Sequence, residues 1–156
     1  MAKGQTVRSK IIYLLLFVVI IAVGGSVITY LISTYPYRSE KVNAIRLARK
    51  YAGIETVSDF EYYSRDKTYY SVFGKSSNHE SLIAVIPKSG GQIVTLKASE
   101  GISSKKAESI SGLSGKDVSA ALGLQNGEAL WEVKKVTENE VEYVLVGFKD
   151  GEIKQN

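Results

Sequence analysis

One histidine, no cysteine and a scatter of carboxylates limit what chemistry this 156-residue chain can carry. A zinc site would need carboxylates for nearly all of its ligands, which is unusual for that ion, and no thiolate or disulfide is available. His79 lies in the polar stretch 74–80 beside Ser76, Ser77 and Glu80, the residue types of a serine hydrolase. Nucleophile, base and orienting acid must be held by rigid elements, however, and a polar loop between strands is where a solvated histidine is expected. Gly74-Lys75-Ser76 ends like a phosphate-binding loop, but Tyr69 occupies the upstream position where that loop needs glycine, and Gly112-Leu113-Ser114-Gly115-Lys116 fails on spacing. Asp59 with Glu61, and Glu138 with Glu140, have the residue types of a glycosidase acid pair, yet sit beside strand ends where charges are ordinarily solvated. No catalytic residue, cofactor site or metal site is assigned.

Aromatic side chains are more informative. Phe60, Tyr62, Tyr63, Tyr69, Tyr70 and Phe73 fall on two adjacent predicted strands, and alternation sends some to each face. Tyr62, Tyr63, Tyr69, Tyr70 and Phe73 are candidate partner-binding rings, since exposed tyrosines suit protein or glycan contact. The competing reading is a cross-strand ladder that stiffens the sheet. Trp131 alternates with Val133 and is expected in the core.

The elements that position these residues repeat. Ser39 can cap a helix through about residue 52, with Val42, Ile45, Ala48 and Ala52 inward and Gly53 as its stop. Strand signals follow at 56–63, 68–73, 82–86 and 92–96, separated by polar and glycine-rich turns. A second helix is expected from Ser103 or Ser104 to Ser111, with Ile102, Ala107 and Ile110 inward and Gly112 ending it. Strands at 118–124, 129–136, 141–148 and 152–154 then follow. Asn126-Gly127 is a strong hairpin signal, because both central positions of a type I′ turn need positive φ. LIAVIPKSGGQI at 82–93 matches YVLVGFKDGEI at 143–153 with one residue dropped, and Gly91 and Gly151 lie 60 positions apart. The simplest account is two helix-plus-meander units, 38–97 and 98–156, in an α+β chain. Units this small are marginal alone, so a shared interface is expected. The alternative is one continuous domain with an accidental likeness at the turn.

The N-terminus carries a different signal. Residues 11–32 form an uncharged apolar run of 22 residues, about 33 Å long as a helix and enough to cross a hydrocarbon core. A cleaved signal peptide competes, because Lys3, Arg8 and Lys10 precede the run. The run exceeds an ordinary signal's apolar region and no small-residue cleavage site follows, which favours an uncleaved transmembrane helix. The short cationic tail 1–10 favours a cytoplasmic N-terminus and an extracellular C-terminal part, although Arg38, Lys41, Arg46, Arg49 and Lys50 count the other way. Ala22, Gly25, Ser26, Thr29 and Ser33 bring small side chains along the helix and form a candidate packing face for a second helix. Of 20 Lys+Arg, three lie before the run, leaving 17 against 16 acids from Arg38 onward, so the basic pI reflects the membrane flanks and no nucleic-acid partner is expected.

EGISSKKAESI at 100–110, ALWEVKKV at 129–136 and KDGEIK at 149–154 resemble the TseB-like (YpmB-like) cell-wall elongation regulators of Gram-positive bacteria. The second unit also resembles a PepSY module, with the closing turn shortened at Lys149-Asp150-Gly151-Glu152-Ile153, while the first unit matches the family less well. The resemblance implies two tandem cystatin-like units on the outer face of the cell membrane. It also implies a non-enzymatic role, acting on a membrane-bound penicillin-binding transpeptidase. The alternative reading is an extracytoplasmic binding module for wall polymer or a secreted peptide. Neither reading fixes an oligomeric state.

Overall fold

In the computed structural model the backbone is described for residues 3–154 and side chains for 12–26 and 38–154. Helix α1 (Lys3–Tyr51) runs without a break from the tail through the apolar run and past Pro36. Ser39 therefore does not begin a helix, contrary to the sequence expectation: the apolar run and the predicted second helix are one element. Gly53, at φ 68°, ends it through the left-handed geometry that glycine adopts at least cost. Among the described residues no helix is long and apolar enough to cross a membrane. The described side chains of the 11–32 run are those of 12–26; Ile11 and 27–32 lie outside them.

Four strands follow as a meander: β1 (Thr56–Ser64), β2 (Thr68–Lys75), β3 (Ser81–Pro87) and β4 (Val94–Lys97), all antiparallel in the order β1-β2-β3-β4. A short 3-10 turn, Ala98–Glu100, leads to helix α2 (Ser104–Ser111). Ser103 caps it by accepting from the Lys106 N–H, and Gly112 closes it at φ 74°. The second meander is β5 (Val118–Gln125), β6 (Glu128–Val136), β7 (Val141–Gly147) and β8 (Ile153–Lys154), again in sequential order. Asn126 and Gly127, at φ 52° and 86°, make the type I′ turn read from the sequence.

By contacts, Met1–Glu40 and Lys41–Asn156 form separate units, and the second holds both sheets. One face of the first sheet packs on Ala44, Ala48 and Ala52 of α1, with Phe60, Tyr70, Val72, Ala84 and Ile86 beneath them. The expected inward residue Val42 instead stands 68% exposed. Three alanines at a spacing of four bring helix and sheet close, which explains why the bulkier Val42 is left outside. The other face contributes Tyr63, Tyr69, Ile83 and Val85 to a larger core shared with the second sheet and Ala107 of α2. The first sheet is thus sandwiched between a helix and its own repeat.

Candidate functional site

The second sheet meets the first edge-on. Glu61 and Ser71 are directly opposite in the β1–β2 register, and both reach Leu122 on β5. The Leu122 N–H donates to Glu61 Oε2 at 3.0 Å, and the Ser71 hydroxyl donates to the Leu122 carbonyl at 2.7 Å. β5 is an edge strand, and these two side chains satisfy backbone groups that a neighbouring strand would otherwise pair. Tyr63 lies flat over Gly123, where any Cβ would run into its ring. On the other side, Phe73 stacks on Trp131 at 6.1 Å, and the Trp131 indole N–H donates to the Ile102 carbonyl at the start of α2.

This junction gathers the chain's unusual electrostatics. Burial raises the Glu61 carboxyl to about 7; the Leu122 N–H opposes that shift, whereas the charges of Asp59 and Glu108 add to it. Burial, then the Glu132 charge, pushes the Tyr63 phenol up to about 12. Glu132, only 8% exposed, takes an ion pair from Arg65 across the junction at 3.3 Å. The expectation that Asp59 and Glu61 are both solvated therefore fails for Glu61. Its alternation with Tyr63 along β1 was the available signal, since residues two apart share a face.

Beside the junction the outer face of the second sheet is only half covered. A cleft of about 240 Å³ opens there, lined by Tyr62 and Ser64 of β1, Ser119 and Ala121 of β5, Glu132 and Lys134 of β6, and Tyr143 of β7. Lys134 Nζ sits 5.8 Å from the Tyr143 ring centre, within cation–π range. A second cavity, about 340 Å³, lies between β4 and the β5–β6 and β7–β8 turns, with Leu96, Leu130 and Phe148 among its walls and the Asp150–Lys154 pair at its rim.

Of the five candidate rings, only Tyr62, at 44% exposed, presents a large surface. Tyr63, Tyr69 and Tyr70 are buried and Phe73 is half-buried against Trp131, so an exposed platform of five rings is not what the fold builds. Two strands with helix on one side and sheet on the other have little free face to offer. Tyr143, equally exposed at 44%, was missed because it lies far away in sequence, on a strand chosen for its hydrophobic alternation. His79 is an exposed loop residue, and among the described residues no cluster of metal-ligating side chains forms. In the candidate helix-packing face, the Ser26 hydroxyl bonds back to the Ala22 carbonyl at 2.7 Å, and a Cβ at Gly25 would meet nothing within 4 Å. The side chains of Thr29 and Ser33 lie outside the described residues.

Residues 43–87, the end of α1 and the first three strands, match the family described as the cell wall elongation regulator TseB-like domain. Over that stretch the chain is similar to the TseB-like family. The matched stretch is the first unit, although the residues that carry the resemblance in the sequence lie in the second, so the expectation of a weaker first unit is corrected. The YpmB protein from Bacillus subtilis has a similar structure, with a TM-score of 0.62 and 27% identity over 72% of this chain and 92% of that one. A candidate lipoprotein from Clostridium difficile 630 aligns over 74% of this chain and 90% of its own at 16% identity, with a TM-score of only 0.38. No curated protein matches the sequence.

Proposed function

We propose that this chain is a TseB-like, non-enzymatic regulator of cell-wall elongation that binds a membrane-bound penicillin-binding transpeptidase. A single helix over 11–32 holds it in the cell membrane, with the N-terminus cytoplasmic and the two cystatin-like units, 38–97 and the PepSY-like 98–156, outside. The observation that carries this reading is the match of residues 43–87 to a family of cell-wall elongation regulators. Two further observations support it. Apolar side chains from Ile12 to Val23 stand 52–69% exposed, a surface that suits lipid far better than water. The half-buried Glu61 carboxyl and the buried Glu132 are engaged by the Leu122 N–H and by Arg65, contacts that join the two sheets.

Partners confined to one membrane meet at high local concentration, so a modest interface suffices. Photo-crosslinkers placed at Gly25 and at Tyr62 in intact cells separate contact through the helix from contact through the external units. The expected result is a transpeptidase adduct from at least one position. Mature chain free in the medium, or adducts from both positions that contain no transpeptidase, would refute the proposal.

A further inference from the structure

The cleft across β5, β6 and β7 has the chemistry of a sugar site. Strand register lays Ser119, Lys134 and Tyr143 side by side in one row, with Ala121, Glu132 and the buried Leu145 in the row two residues further along the same face. Trp131 points to the opposite face, where it bonds to the start of α2. Tyr63 covers the next row at Gly123, and Arg65 reaches Glu132 from the same side. The open row is therefore that of Ser119, Lys134 and Tyr143, with Tyr143 44% exposed at one end and the edge strand β1 alongside at Tyr62 and Ser64, while the next row, Ala121, Glu132 and Leu145, holds a buried carboxylate.

We propose that this cleft binds one ring of an N-acetylated amino-sugar chain. A pyranose offers two C–H faces and a rim of hydroxyls, and so needs both an aromatic plate and polar groups of each kind. Tyr143 supplies the plate, Lys134 and the Ser119 hydroxyl donate, and Glu132 accepts. The Ala121 methyl beside the Glu132 carboxylate matches an acetamido group, whose N–H donates while its methyl packs. At about 240 Å³ the cleft falls below the roughly 300–1,000 Å³ of sites that engulf a whole small molecule, which suits a single ring of a longer chain. A protein partner fits less well, because the centres of protein interfaces are depleted of charge, and here a carboxylate and an ammonium occupy the floor. This site stands apart from the transpeptidase reading, and either can fail without the other.

The test uses the full chain in detergent micelles and saturation-transfer NMR with the tetramer of N-acetylglucosamine, taking the glucose tetramer as control. The expected result is transfer to the acetamido methyl with a Kd of about 0.1–1 mM and none to the glucose tetramer. Tyr143→Ala weakens binding about ten-fold or more, Tyr143→Phe keeps it within about two-fold, and Ser119→Leu, which fills the cleft from an exposed position, abolishes it. Thermal unfolding of each variant reports whether the fold survives; if Tyr143→Ala unfolds, Ser119→Leu decides. Absence of transfer to the wild type at about 5 mM sugar, or unchanged transfer with Ser119→Leu, overturns the proposal. So does a Tyr143 crosslinker that captures protein while no sugar binds.

Discussion

Replacing Glu61 by glutamine separates the cost of its charge from the value of its hydrogen bond. Burial raises this carboxyl from the ordinary 4.5 to about 7, so the folded chain keeps a proton that the unfolded chain releases across that interval. The unfolded state then binds fewer protons, and stability falls as pH rises from about 4.5 through 7, opposite to the behaviour of a salt-bridged carboxylate. A shift of about 2.5 units at roughly 1.36 kcal/mol each gives a loss of about 3 kcal/mol, complete above pH 7. The glutamine oxygen still accepts from the Leu122 N–H, and the neutral amide does not incur the charge penalty.

Thermal unfolding of the full chain in micelles, followed by Trp131 fluorescence between pH 5 and 8.5, measures the difference. Wild type should lose roughly 10 °C more than Glu61→Gln across that range, and the variant should be the more stable above pH 7. Taking the difference removes common contributions from surface pairs such as Lys97–Glu80. Parallel pH curves for the two proteins would show that Glu61 is ionised and solvated in the folded state, and the account of the junction would be wrong.

Other consequences of the edge-on junction are simpler. Ser71→Ala removes the donor to the Leu122 carbonyl and leaves a buried acceptor unmatched, an expected loss of about 1–3 kcal/mol by thermal or denaturant unfolding. Gly123→Ala drives a methyl into the buried Tyr63 ring and should cost about 1–3 kcal/mol, with the Tyr63 ring resonances displaced in NMR spectra.

The strands were largely legible because period-two alternation and glycine-rich turns are local signals. Asn126-Gly127 and the Ser103 cap fall where their chemistry demands. The helix start at Ser39 misled for the same local reason: a good cap residue counts for nothing when the preceding residues are already helical. Ala48, Ala52 and Ile45 of the expected inward face do meet the first sheet, but Val42 was misplaced and Ala44 missed, because close helix–sheet packing selects the small residue there. The candidate site was the least legible part. Glu61 and Leu122 lie 61 residues apart in sequence, and nothing in either meander alone says that one will seat its edge on the other.

That seating bears on whether a repeat of roughly 60 residues can stand alone. An isolated second unit, 98–156, would lose the two side chains that satisfy Leu122, the ring over Gly123 and the Phe73 ring against Trp131. Its β5 would become an open edge beside newly exposed apolar surface, the arrangement that favours aggregation. A domain of that size has little stability to spare, and removing buried aromatic cover alone costs about 3–5 kcal/mol. The segment 98–156 expressed by itself should therefore give a collapsed NMR spectrum and no cooperative unfolding, whereas addition of 38–97 in trans should restore dispersion by rebuilding the junction. A well-dispersed spectrum from 98–156 alone would mean that its own helix and meander suffice, and that the shared core adds attachment and not foldability.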